Sequence, residues 1–71
     1  MTRDFKLRDD DPYIQLIQLL KVMNIAESGA VASEMVLSSQ VKVNGVVDNR
    51  KRKKLVKGDS VQVYSEIINI V

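Results

Sequence analysis

The chain has no cysteine, no histidine and no tryptophan, and among its 71 residues it has only one proline and three glycines. Without cysteine no disulfide can staple the fold, and a reducing cytoplasm is the expected setting. Without cysteine and histidine there is no Cys/His zinc site, no Ser-His or Cys-His nucleophile pair and no imidazole acid–base chemistry. Aromatic residues are confined to Phe5, Tyr13 and Tyr64, too few for the aromatic stacking strand of single-strand binders. No apolar run approaches the roughly 18 residues of a membrane span. The opening MTRDFKLRDDD lacks the apolar centre of a secretory signal. No glycine-rich phosphate loop occurs either, so nucleotide hydrolysis has no support.

What is present is an aliphatic chain of 45% hydrophobic residues with an uneven charge. Residues 1–34 hold four basic and six acidic side chains; residues 35–71 hold seven basic and three acidic. The net +2 therefore divides into −2 and +4. That polarity favours a polyanionic partner. Its focus is the run Arg50, Lys51, Arg52, Lys53 and Lys54, five adjacent cations between valine-rich segments. Such a run is either a solvated loop or a binding surface. Arginine can grip phosphate in a fork, and lysine acts as a point charge.

At this length one domain over residues 1–71 is expected, near the lower limit for folding without staples, with a margin of about 3–5 kcal/mol. Asp11-Pro12 is a helix-start signal, and Tyr13, Leu16, Ile17, Leu20 and Met23 fall at helical spacing. A helix over Pro12–Met23 is predicted, with Asp11 as its cap and Asn24 as its stop. AESGAVASEMVLSSQ reads as a second helix, capped by Ser28 and carrying Ala32, Met35 and Val36 on one side. From Val41 the period changes to two. Asn44-Gly45 predicts a type I′ hairpin turn, Lys57-Gly58-Asp59 a second turn, and Val61 with Val63 and then EIINIV two further strands. Phe5 and Leu7, alternating around Lys6, suggest a short N-terminal strand. The expected architecture is α+β: two helices followed by a small antiparallel sheet, with valines and isoleucines toward the helices and Lys42 and Gln62 outward.

SGAVASEMVLSSQVKVNGVV followed by LVKGDSVQV resembles the RNA-binding domain first seen in ribosomal small-subunit protein four, the S-four or alpha-L RNA-binding fold. The likeness rests on Ser28, Ala32, Val41, Val43, Asn44, Gly45, Gly58, Asp59, Val61 and Val63, and spans most of the chain. DNRKRKKL is similar to a basic signature of small stand-alone bacterial members. The resemblance implies binding of structured or ribosomal RNA without implying a reaction; from the residues themselves no cofactor, metal, small-molecule substrate or membrane is expected, and a monomer is expected. Two positions depart from the pattern. Gly29 stands where the family often has arginine, and Ser39 stands where it commonly has glycine, so a changed helix exit is expected.

The candidate RNA-contact residues are Arg50, Lys51, Arg52, Lys53, Lys54, Lys42, Lys57 and Asn49. Asp48 and Asn49 either orient the basic loop or only solvate it. Ser28 is read as a cap and Asn44 as a turn residue. Asp9, Asp10 and Asp11 are explained by the helix start without a metal. The alternative is a protein-interaction module that turns the same cations toward an acidic partner.

Overall fold

The computed structural model describes all 71 residues. Its elements are β1 (Thr2–Phe5), β2 (Ile14–Gln15), α1 (Leu16–Val22), α2 (Gly29–Leu37), β3 (Val41–Val43), β4 (Val46–Val47), β5 (Lys54–Leu55), β6 (Ser60–Val63) and β7 (Glu66–Ile70). Five strands form one sheet in the order β1-β7-β6-β3-β4, and β2 with β5 makes a separate two-stranded ladder. The α+β architecture is as expected, with one addition. β1 pairs in parallel with β7, so the sheet is antiparallel except at that edge. The N-terminal strand is Thr2–Phe5; Leu7 lies beyond it, buried, with its N–H donating to the Val71 carbonyl at 2.9 Å.

Period-two alternation puts Val41, Val43, Val61, Val63, Ile68 and Ile70 inward, where they join Leu16, Leu19, Leu20, Ala32, Met35 and Val36 of the helices in one apolar core. Lys42 and Gln62 face outward as expected, paired across β3 and β6. Val46 and Val47 do not reach the core. Their strand is the free edge of the sheet, and Val46 is 69% exposed.

The first helix departs most from expectation. It begins at Leu16 rather than Pro12, and Gln15, not Asp11, is its cap. Asp11 and Pro12 lie in the preceding loop because Ile14 and Gln15 extend to pair with Leu55 and Lys54. Tyr13 is consequently outside the core, and Leu19 occupies the core instead. The C-terminal end is as predicted: Asn24 adopts φ 59, a left-handed conformation asparagine tolerates, and donates to the Lys21 carbonyl. The second helix starts as predicted, with the Ser28 hydroxyl accepting from the Val31 N–H at 3.3 Å.

Its exit does not change in the way the serine suggested. Ser39 adopts φ 64 despite its side chain, and Gln40 donates back to the Met35 carbonyl. The left-handed position costs an L-residue about 1–2 kcal/mol, and the Ser39 hydroxyl, which accepts from Asn49, offsets part of that cost.

Asn44 and Gly45 take φ 52 and 84, both positive as a type I′ turn requires. Asn44 also ties the hairpin to the Gly58-Asp59 turn. Its side-chain oxygen accepts from the Ser60 N–H at 2.9 Å, and its amide donates to Asp59 at 3.1 Å. Open space surrounds the site a Gly45 Cβ would occupy, so a side chain there meets backbone strain and no clash. Gly45→Val is expected to lower the denaturation midpoint, with a loss of at least about 1–2 kcal/mol since β-branched residues are the poorest at positive φ. Gly45→Asn is the tolerated control. Equal midpoints for the two variants would contradict this account of the turn.

Candidate nucleic-acid interface

The basic run is a built turn. The Lys53 N–H donates to the Arg50 carbonyl at 3.1 Å, closing the four residues Arg50–Lys53. Helix α1 begins beside it, and the first amides of a helix have no partner within the helix. Two of them find theirs in the turn: Leu16 donates to the Lys53 carbonyl at 3.0 Å and Ile17 to the Lys51 carbonyl at 3.1 Å. Pairing of β2 with β5 then holds Lys54 opposite Gln15. The backbone is therefore pinned by its carbonyls, which leaves the cationic side chains unengaged by that anchoring.

The entry to the turn is fixed by Asp48 and Asn49. Asp48 is the one buried charged residue, 8% exposed. Its carboxylate accepts from the Arg50 N–H at 2.9 Å, from Arg50 Nε at 3.0 Å and from Arg50 Nη2 at 2.7 Å. Hydrogen bonding to the Arg50 guanidinium holds the Asp48 carboxyl below the usual carboxylate range; burial opposes this, and the Arg50 N–H and the positive charges of Arg50 and Lys53 add to it. Reciprocally, Asp48 holds Arg50 more firmly protonated than usual.

Asn49 is also committed. Its amide donates to the Val36 carbonyl at 2.9 Å and to the Ser39 hydroxyl at 3.0 Å, closing the C-terminal end of α2. Both amide hydrogens are used, which narrows what this candidate contact residue can offer an RNA to its side-chain oxygen.

The five cations are thus unequal. Arg50 is paired with Asp48, so its fork is already occupied. Lys51 and Arg52 are exposed at the apex, Lys53 is half-buried and Lys54 is exposed, and none of the four has a carboxylate within ion-pair distance. Lys54 Nζ lies 5.0 Å from the centre of the Tyr13 ring, a cation–π contact. A shallow groove of about 470 Å³ separates the β3–β4 hairpin from the turn, with Val46 and Val47 on the hairpin and Arg50 and Lys53 on the turn. Lys42, on the outer face of the sheet, and Lys57, in the β5–β6 turn, do not line it. Four acid-free cations on a fixed turn can meet a run of phosphates at several points at once.

Tyr13 is the neighbour that helical spacing concealed. No local signal marks it as exposed, since its position follows from the β2–β5 pairing. The Asp48–Arg50 pair did have a local signal, an acid two residues before the first arginine of the run.

Known proteins place this architecture. The S4 domain family matches residues 5–71. YbcJ of Escherichia coli strain K12, whose provisional name is RNA-binding protein, is 40% identical over 60 residues, covering 84% of this chain and 86% of that protein. RlbA of Bacillus subtilis strain 168, provisionally named a ribosome maturation protein, is 37% identical over 54 residues, 76% of each chain. The solution structure of Escherichia coli YbcJ, described as revealing an αL motif involved in RNA-binding, matches with a TM-score of 0.73 at 38% identity. That match covers 96% of this chain and 85% of YbcJ.

Proposed function

The chain belongs to the S4 domain family, and on that footing we propose that it is a non-catalytic RNA-binding module whose ligand is structured or ribosomal RNA. The observation that carries the reading is the pinned turn, with Lys51, Arg52, Lys53 and Lys54 free of acidic partners. Phosphate contacts supply affinity, and the fixed shape of turn, hairpin and helix supplies selectivity for folded RNA. Because the backbone is anchored before RNA arrives, little ordering entropy is lost on binding. The names of YbcJ and RlbA support RNA and the ribosome as the class of partner. A monomer in a reducing cytoplasm is the proposed working form.

Binding of the purified chain to ribosomal RNA fragments is expected to weaken steeply with salt. With four phosphate contacts, the single-stranded reference of about −0.7 per contact gives a slope of roughly −3 in log K against log salt. A slope near zero, or retention of the cellular partner after ribonuclease treatment, would overturn the reading; the latter would indicate an acidic protein.

A further inference from the structure

A second groove, of about 390 Å³, lies next to the basic turn and is not explained by phosphate binding. Its volume is within the roughly 300–1,000 Å³ range of small-ligand sites. Leu7 and Ile14 give it an apolar wall, and Phe5 and Tyr13 bring the two aromatic rings of the N-terminal half. Asp11, Gln18 and Lys21 add polar groups. Neither the Asp11 carboxylate nor the Lys21 ammonium has an ion-pair partner in the chain.

Tyr13 joins this groove to the cations. It lines the groove, it is 36% exposed, and its ring lies beneath Lys54 Nζ. The β2–β5 ladder fixes that relation, because Gln15 is paired with Lys54 two residues along from Tyr13. A planar ligand with an apolar face and hydrogen-bonding edges suits such a wall, and Lys54 beside it is placed to meet a phosphate attached to such a ligand.

We infer that this groove receives one unpaired base of the bound RNA, stacked on Tyr13, with Asp11 reading the base edge. The inference rests on the RNA-binding reading. An aromatic face stacks on any base, and a carboxylate only accepts hydrogen bonds. Guanine is the base that presents adjacent N1–H and N2–H donors on one edge, so it is the base selected. Tyr13 is thus a specificity residue, and the turn an affinity element.

The test uses the full chain and a pool of RNA hairpins with randomised loops, taken through selection in parallel with Tyr13→Ala, Tyr13→Phe and Asp11→Asn. The parent and Tyr13→Phe should enrich an unpaired guanine, and Tyr13→Ala should bind the selected hairpins about 5- to 150-fold more weakly. Replacing the selected guanine by an abasic site should remove that difference. Asp11→Asn should retain binding and lose the preference for guanine over adenine. With the parent, methyl signals of Leu7, Ile14 and Val22 should shift on binding the guanine hairpin and stay in place with the abasic one.

Random loops from the parent, or enrichment that survives Tyr13→Ala, would overturn the base site while leaving the turn intact. Enrichment of another base that Tyr13→Ala abolishes would keep the stacking site and overturn the role of Asp11. If the parent captures no hairpin at all, the RNA-binding reading fails and this site fails with it.

Discussion

Exchanging Lys51, Arg52 and Lys53 together for glutamine is expected to weaken RNA binding by more than about tenfold and to leave the melting midpoint within about 2 °C of the parent. The three side chains make no ion pair within the chain, and only the charge of Lys53, which helps to hold Asp48 ionised, contributes a small favourable interaction that the exchange removes. What anchors the turn is its backbone: the carbonyls of Lys51 and Lys53 cap α1 whichever side chains those residues carry. Removing neighbouring like charges also relieves repulsion in the free protein. Several charge-assisted phosphate contacts would be lost together, and their combined loss is what the titration reads. Lys54 is left in place because its contact with Tyr13 would confound the result. Unchanged affinity would show the turn to be merely solvated, and unfolding would show these side chains to be structural.

Asp48→Ala should have the opposite signature. At neutral pH it is expected to destabilise the domain by about 2 kcal/mol, roughly 10 °C in the melting midpoint, because a buried charged acceptor is lost from beneath Arg50. For a domain with a margin of about 3–5 kcal/mol that is a large fraction. The effect should depend on pH. The Asp48 carboxyl titrates lower in the folded chain than in the unfolded one, so its contribution is complete above about pH 4 and is lost as the pH falls through the lowered folded value. Melting curves of parent and variant should therefore converge in strong acid. A gap that persists unchanged there would mean that Asp48 acts through packing and not through its charge. Arg52→Gln, lacking any partner, should leave stability unaltered throughout.

The contrast between these two variants shows which features were legible in the sequence. Asn44-Gly45 needs nothing beyond its own two residues to prefer positive φ, and it forms the turn it predicts. Ser28 caps α2 and Asn24 ends α1 for equally local reasons. Asp11-Pro12 is just as strong a local signal, yet the helix starts at Leu16. What overrides it is a partner some forty residues away: Ile14 and Gln15 pair with Leu55 and Lys54, and the turn supplies carbonyls that no local pattern announces. The same long-range pairing moves Tyr13 out of the core and next to Lys54.

Within the basic run the charge was visible but its division was not. Five adjacent cations read alike in a sequence. Only burial of Asp48 separates Arg50, a brace, from Lys51 to Lys54, none of which makes an ion pair. Asn49 differs for a similar reason. Its role depends on where the end of α2 lies in space, thirteen residues earlier in the chain.

That the turn itself lies against RNA is most directly tested by ultraviolet crosslinking of the chain in living cells, with recovery of both the attached RNA and the attached peptide. Ribosomal RNA fragments joined to the peptides that contain Lys51–Lys54 are the expected product. Recovery of no RNA above background, or of RNA joined only to the outer sheet face around Lys42 and Gln62, would contradict it.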